Sequence, residues 1–295
     1  MQVELKNRND RSENVSYDTP EFPVYVRRGL LSSYPNFSAI SHWHEDIEFI
    51  FVQSGHMEYN INGVTVRLNE GEGIFVNSRQ LHYGFSKEFE ECIFICILIH
   101  PMLVCSSPYV EEKYVVPIVK NENMPYLVLH SDKEHERAIL KLIDKMYQCY
   151  REELFAIKAQ GIIFGIWERL FLLSDYMEPK AAPGKQHLFI LKDMIRFICK
   201  NYTERISLAQ ISEAGKVGKT TCCAIFQKYT SETPVSYLTN YRLKKGIELL
   251  ETTDQTISEI SFQVGFSGAS YFTETFRKSY GCTPSEYRAR FRLPK

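Results

Sequence analysis

The sequence predicts an α+β multidomain chain: an N-terminal β-barrel with flanking helices, followed by an all-α C-terminal domain. Three observations carry this prediction. The hydrophobic period changes from two to about 3.6 near residue 130. A segment with two prolines and a glycine interrupts the chain at 178–184, and a helical unit beyond it occurs twice.

Residues 1–20 are polar, read as a flexible N-terminus, and lack the apolar stretch of a secretory signal. From 21 to 130 the text is strand-like. Short β-branched and aromatic runs at 47–52, 57–61, 64–68, 73–76 and 92–99 are separated by Gly, Asn and Pro, as in a small barrel. Asn62-Gly63 lies between two alternating runs and marks a hairpin. Residues 131–177 form a helical segment. Ile139, Leu142, Ile143, Met146 and Tyr150 recur at helical spacing, and in the next helix apolar residues from Ile162 to Leu173 cover most of the circumference. That much apolar surface leads us to expect dimerisation through this segment, unless the chain's own barrel covers it. Residues 178–186 read as a linker, and 187–295 as helix throughout.

Composition narrows the class. With 44% hydrophobic and 13% aromatic residues the chain can fill ordinary cores. The longest apolar run, 92–99, is far too short to span a membrane. Eight cysteines without paired spacing, apart from the adjacent Cys222 and Cys223, suggest reduced thiols in a cytoplasmic protein. The net charge of −1 hides a division. From Lys185 onward there are 17 Lys+Arg against 10 Asp+Glu, and before it 18 against 26. Only the C-terminal part is suited to approach a polyanion.

The repeat is what points to function. Phe226, Lys228, Thr233, Pro234 and Tyr237 recur 50 positions later as Phe276, Lys278, Thr283, Pro284 and Tyr287. Upstream, Leu208, Ile211, Ser212 and Val217 recur 49 positions later as Ile257, Ile260, Ser261 and Phe266. Each copy has helix-turn-helix character, over about 207–230 and 256–280. In the second copy, Thr256 and Glu259 form a capping box, Gly265 suits the turn, and Ser267 is placed to cap the next helix. Phe272 and Phe276 pin that helix inward. Its outer face then carries Gly268, Ala269, Ser270, Thr273, Glu274 and Arg277. In the first copy Cys222 and Phe226 do the pinning, and Lys219, Thr220, Thr221, Cys223, Ala224 and Gln227 face outward.

The stretch from Ile260 to Lys278, with Gly281-Cys-Thr-Pro-Ser-Glu-Tyr-Arg288 after it, resembles the signature of the AraC/XylS regulators. Tyr237-Leu238, Arg242-Leu243 and Leu249-Leu250 are similar to that family's linker helix, and the resemblance spans about 187–292. It implies two recognition helices in successive major grooves of double-stranded DNA, activation of transcription, and contact with RNA polymerase. Base contacts would come from the outward faces, and phosphate contacts from Lys228, Arg242, Lys244, Lys245 and Lys278. Ala224 and Glu274 stand where the family often has Arg, so the preferred site does not carry over from relatives.

In the N-terminal part, His42-Trp43-His44 is followed by Glu48 and Gly55, and Gly73 by Asn77 and His82. The pattern resembles the two motifs of the cupin barrel, with Ser78 where a proline is usual. The fold is therefore expected to be a cupin-like β-barrel joined to a double helix-turn-helix domain. On a strand, His42, His44 and Glu48 would share a side. With His82 they could hold a metal, but a reversible sensor needs only a polar, partly aromatic cavity. A small organic effector bound by His42, His44, Glu48, His82, Trp43 and Tyr83, with Phe85 nearby, is the preferred expectation, with no cofactor. The rivals are a metal sensor or a metal-dependent cupin enzyme fused to a DNA-binding domain, and a protein-interaction adaptor that uses the helical repeats without DNA. No nucleophile elbow, phosphate loop or CxxC pair supports catalysis.

Overall fold

The computed structural model describes residues 15, 17–174 and 185–292. The expected flexible N-terminus and the linker at 178–186 fall largely outside the described residues. The chain divides into two compact units, with the boundary at 183–184.

The first unit holds two antiparallel sheets. One has the order β1-β7-β2-β5-β8, from β1 (Val24–Leu30), β2 (Ile47–Ser54), β5 (Gly73–Val76), β7 (Ile93–Ile99) and β8 (Tyr126–Leu129). The other has the order β4-β3-β6, from β3 (His56–Ile61), β4 (Val64–Asn69) and β6 (His82–Phe85). Strand alternation divides their side chains between two cores. Ile50, Val52, Ile74 and Val76 of the larger sheet meet Met57, Tyr59, Ile61 and Leu68 of the smaller one. On the other face of the larger sheet, Phe49, Phe75, Ile95 and Ile97 pack beneath helices. The larger sheet is thus covered on both sides. Asn62 and Gly63 both have positive φ, as the hairpin signal required.

Two short helical turns, α1 (Pro108–Val110) and α2 (Val116–Val119), precede β8. Then follow α3 (Glu134–Cys149) and α4 (Phe155–Ser174). Ile139, Ile143 and Met146 of α3 and Ile162, Ile163, Ile166 and Trp167 of α4 enter the core with Phe49 and Phe75. Most of the apolar surface that suggested a dimer face is therefore buried within the chain.

The second unit is all helix: α5 (Lys185–Asn201), α6 (Leu208–Ala214), α7 (Lys219–Thr230), α8 (Pro234–Thr252), α9 (Ile257–Gln263), α10 (Ala269–Tyr280) and α11 (Pro284–Arg292). The two helix pairs, α6–α7 and α9–α10, begin with reciprocal capping boxes, Ser207 with Gln210 and Thr256 with Glu259. Ser267 does not cap α10. Gly268 holds the N-cap position without a side-chain bond. A Cβ on Gly246 of α8 would lie 3.1 Å from the Phe272 ring, so the missing side chain lets α10 approach closely. Among the described residues no helix is long and apolar enough to cross a membrane.

Candidate sensor site and DNA-facing helices

His42 and His44 do not lie on a regular strand. His42 makes only an isolated bridge with His82, through N–H to carbonyl bonds of 3.1 and 2.9 Å, and β2 begins at Ile47. The loop after β5 holds the segment around His44. Arg79 N–H donates to the His44 carbonyl (2.8 Å), and Ser78 Oγ donates to that of Glu45 (2.7 Å). Serine at the position usual for proline thus anchors the neighbouring loop by a hydrogen bond. Asn77 is structural: its side-chain amide donates to the carbonyls of Ile118 (2.8 Å) and Met124 (3.0 Å).

Donor atoms of His42, His44, Glu48 and His82 lie within 4.8 Å of one another. His44, Glu48 and His82 are at most 3% exposed. Each histidine places Nδ1 against a backbone carbonyl: Ile40 at 2.8 Å, Asp46 at 2.9 Å and Gln80 at 2.9 Å. A carbonyl only accepts, so Nδ1 donates in each ring, and Nε2 is the nitrogen left for a ligand. Nε2 of His44 and of His82 lie 3.5 and 3.4 Å from Glu48 Oε2, and His82 Nε2 is buried without a hydrogen bond of normal geometry. The other Glu48 oxygen accepts from the Tyr59 hydroxyl. Burial alone would raise the Glu48 carboxyl, but the His82 and His44 imidazoles outweigh it and hold it well below the usual carboxylate range. Burial, reinforced by Glu48, pushes the Tyr59 phenol well up, so it remains a donor. With Nε2 deprotonated, three ring nitrogens and one carboxylate, oriented by backbone carbonyls, would make a donor set that fits a divalent transition metal.

Tyr59 was not anticipated as part of this site, although the inward set Met57, Tyr59 and Ile61 places it opposite β2. The aromatic residues expected at the site fare differently. Trp43 is buried at 4% exposure. Gly84 abuts Met57 and Tyr59, so alternation along β6 turns His82 and Gly84 toward the inter-sheet core. Tyr83 and Phe85, stacked 5.3 Å apart, face the opposite side. Tyr83 therefore does not line the cluster.

In the second unit, Lys219, Thr220, Thr221, Ala224, Gln227 and Lys228 of α7 are exposed and Cys223 half-buried. Cys222, Ile225, Phe226 and Tyr229 hold the opposite face inside. On α10, Ser270, Glu274, Arg277 and Lys278 are exposed, with Gly268, Ala269 and Thr273 partly so, opposite buried Phe272 and Phe276. Tyr271, unremarked in the sequence, belongs to this outer stripe at 55% exposure, its ring held 5.6 Å from that of Phe266. Lys278 Nζ lies 3.5 Å from Glu274. Lys244 and Lys245 of α8 are half-buried, and Lys245 pairs with Glu248 at 2.7 Å. Arg242 departs from expectation. Half-buried, its guanidinium donates to the carbonyls of Tyr202 (2.7 Å) and Glu204 (2.6 Å), so the chain's own backbone engages two of its nitrogens.

A two-sheet unit joined to two helix-turn-helix pairs, each presenting a polar and basic stripe, defines a DNA-binding regulator. Comparisons with known proteins agree. Residues 211–290 match the helix-turn-helix domain family and residues 30–98 the cupin domain family. The chain is 30% identical over 279 residues to YdeC of Bacillus subtilis, an uncharacterized HTH-type transcriptional regulator, covering 94% of this chain and 95% of the relative. It is 24% identical over 276 residues to the melibiose operon regulatory protein of Escherichia coli, covering 90% and 89%. Its fold is similar to that of an apo ToxT variant from Vibrio cholerae, with a TM-score of 0.50, 15% identity, and 95% and 99% coverage. The chain belongs to the AraC/XylS family of transcriptional regulators and carries an N-terminal cupin domain.

Proposed function

We propose that this regulator reads two adjacent blocks of duplex DNA with α7 and α10, and that the His42–His44–Glu48–His82 cluster receives the signal that alters this reading. The observation that carries the first part is one exposed stripe repeated on two helices of a duplicated unit. Base contacts are assigned to Lys219, Thr220, Thr221, Cys223, Ala224 and Gln227 on α7, and to Ala269, Ser270, Tyr271, Thr273, Glu274 and Arg277 at α10. The Gly268 backbone at the start of α10 joins them, and Lys228, Lys244, Lys245 and Lys278 serve phosphates. Selection from randomised duplexes should yield two blocks about 10 bp apart. Affinity should fall steeply with salt as counterions are released. A single short block, or salt-independent binding, would sink this reading.

For the signal, the donor geometry supports a divalent transition metal over the organic effector expected from sequence. A bound ion would supply a fixed double charge between the sheets, held by His42, His44, Glu48 and His82. Elemental analysis of protein purified without added metal should give a stoichiometric ion, lost in His42→Ala/His44→Ala. DNA affinity should then respond to chelator in the wild type only. Metal-free protein whose DNA binding shifts with an organic ligand would restore the organic-effector reading.

Homodimerisation, contact with RNA polymerase and action in the cytoplasm belong to the same proposal. The dimer is supported by Leu154 and Ile157, 61% and 70% exposed, beside a groove of about 580 Å³ between α3 and α4 that Leu142 and Gly161 help line. The relatives are named as a transcriptional regulator and an operon regulatory protein, and no catalytic role is proposed.

A further inference from the structure

Arg242 lies midway along α8, the helix that joins the two DNA-facing pairs. Four observations place it at the joint between them. Its Nε and Nη2 donate to the carbonyls of Tyr202 and Glu204, in the segment just after α5. Helix α5 itself packs against α6 and α7, the first pair. The Tyr202 side chain meanwhile packs onto the core of the second pair, with Leu243, Ile260 and Phe272. At Gly265, the turn of that second pair, an added Cβ would lie 2.3 Å from the Tyr202 carbonyl and 3.0 Å from Arg242 Nε. The turn of one pair thus rests directly on the segment anchored to the other, and Arg242 closes the contact.

We propose that Arg242 is a positioning residue that fixes the spacing of α7 and α10, and with it the separation of the two DNA blocks the protein accepts. The physical basis is the planar fork of the guanidinium, which grips two carbonyls at once and holds their segment in one orientation. Burial depresses the Arg242 pKa, yet the group stays cationic, and each charge-assisted bond is stronger than a neutral one. Gly265 reinforces the joint, because its φ of +85° and its lack of a side chain both suit this packing.

The inference rests on the two-block reading proposed above, and the test separates their failures. The full chain is presented with a duplex selected from a randomised pool, then with versions carrying one, two or three extra base pairs between the blocks. Two extra base pairs rotate the second block by about 70°. The wild type should lose affinity for that duplex on the order of tenfold. In Arg242→Ala this penalty should shrink by about fivefold, while affinity for the original duplex changes less. Arg242→Lys keeps the charge and one carbonyl bond, so it stays folded even if alanine does not. It should show an intermediate penalty with an unchanged salt dependence. Gly265→Ala, which disturbs the joint from the other side without removing a charge, should also alter the preferred spacing. A uniform loss at every spacing, with the salt slope lowered by about one, would make Arg242 a phosphate contact and overturn the proposal. Unchanged spacing preference in folded Arg242→Lys and Gly265→Ala would overturn it equally. A wild type that selects no two-block site would instead refute the two-block reading itself.

Discussion

Single side chains decide more in this protein than their type suggests. Glu232, just after α7, takes the repeat position held by buried Cys282 in the second copy. Asn240 donates to its Oε1 at 2.9 Å, while Oε2 has no hydrogen-bond partner. Burial raises its carboxyl to about 7, with Asn240 opposing only in part. A carboxyl raised on folding binds more protons in the folded state, so stability is greatest at low pH. It declines as pH rises from the ordinary glutamate range through about 7, by up to about 3 kcal/mol. Glu232→Gln should remove this dependence. The gap between variant and wild-type melting temperatures should widen from pH 5 to pH 8, and a constant gap would refute the assignment. His42, His44, Glu48 and His82 were legible as a set, because four metal-type donors in two short motifs are hard to place otherwise. Tyr59 was not, since nothing local distinguishes it from an ordinary core tyrosine. Arg242 was misread for a related reason. A basic residue on an exposed helix reads as a phosphate contact until the carbonyls it faces are known.

At the level of elements, local chemistry was a good guide in most places where the partner lies within four residues, Ser267 being an exception. The Thr256–Glu259 capping box, the Asn62-Gly63 hairpin and the inward-facing Phe272 and Phe276 all belong to this class. Thr256→Ala removes the acceptor for the Glu259 backbone N–H and should cost about 1 kcal/mol. Denaturant unfolding would measure it, and a change below a few tenths would show that tertiary packing alone holds α9. Short elements were harder to read. β6 and β8, four residues each, carry no long apolar run and are held by pairing with β3 and β5. The missing Ser267 cap follows from where the helix starts: α10 begins at Ala269, beyond the reach expected of that side chain.

For the whole molecule, the question left by the helical segment is association. Ile139 and Met146 of the helical segment are fully buried in the N-terminal core, so charges there would unfold it and would not probe a dimer. Exposed Ile157 is the better probe. Ile157→Lys should leave the melting temperature nearly unchanged and convert a wild-type dimer to monomer in sedimentation at micromolar concentration. A wild type that is already monomeric would dismiss the dimer.

By itself, the sequence determined the fold class, the duplicated helical unit and the members of the histidine–glutamate cluster, because periodicity, caps and motif spacing are local quantities. Tertiary structure alone decided how those pieces are used. It showed that the apolar face of α3 and α4 is largely covered by the larger sheet, that Tyr83 turns away from His82, and that Arg242 faces carbonyls. Each depends on contacts between residues far apart in the chain. Burial and hydrogen-bond partners arise only when those segments pack, and no local pattern encodes them.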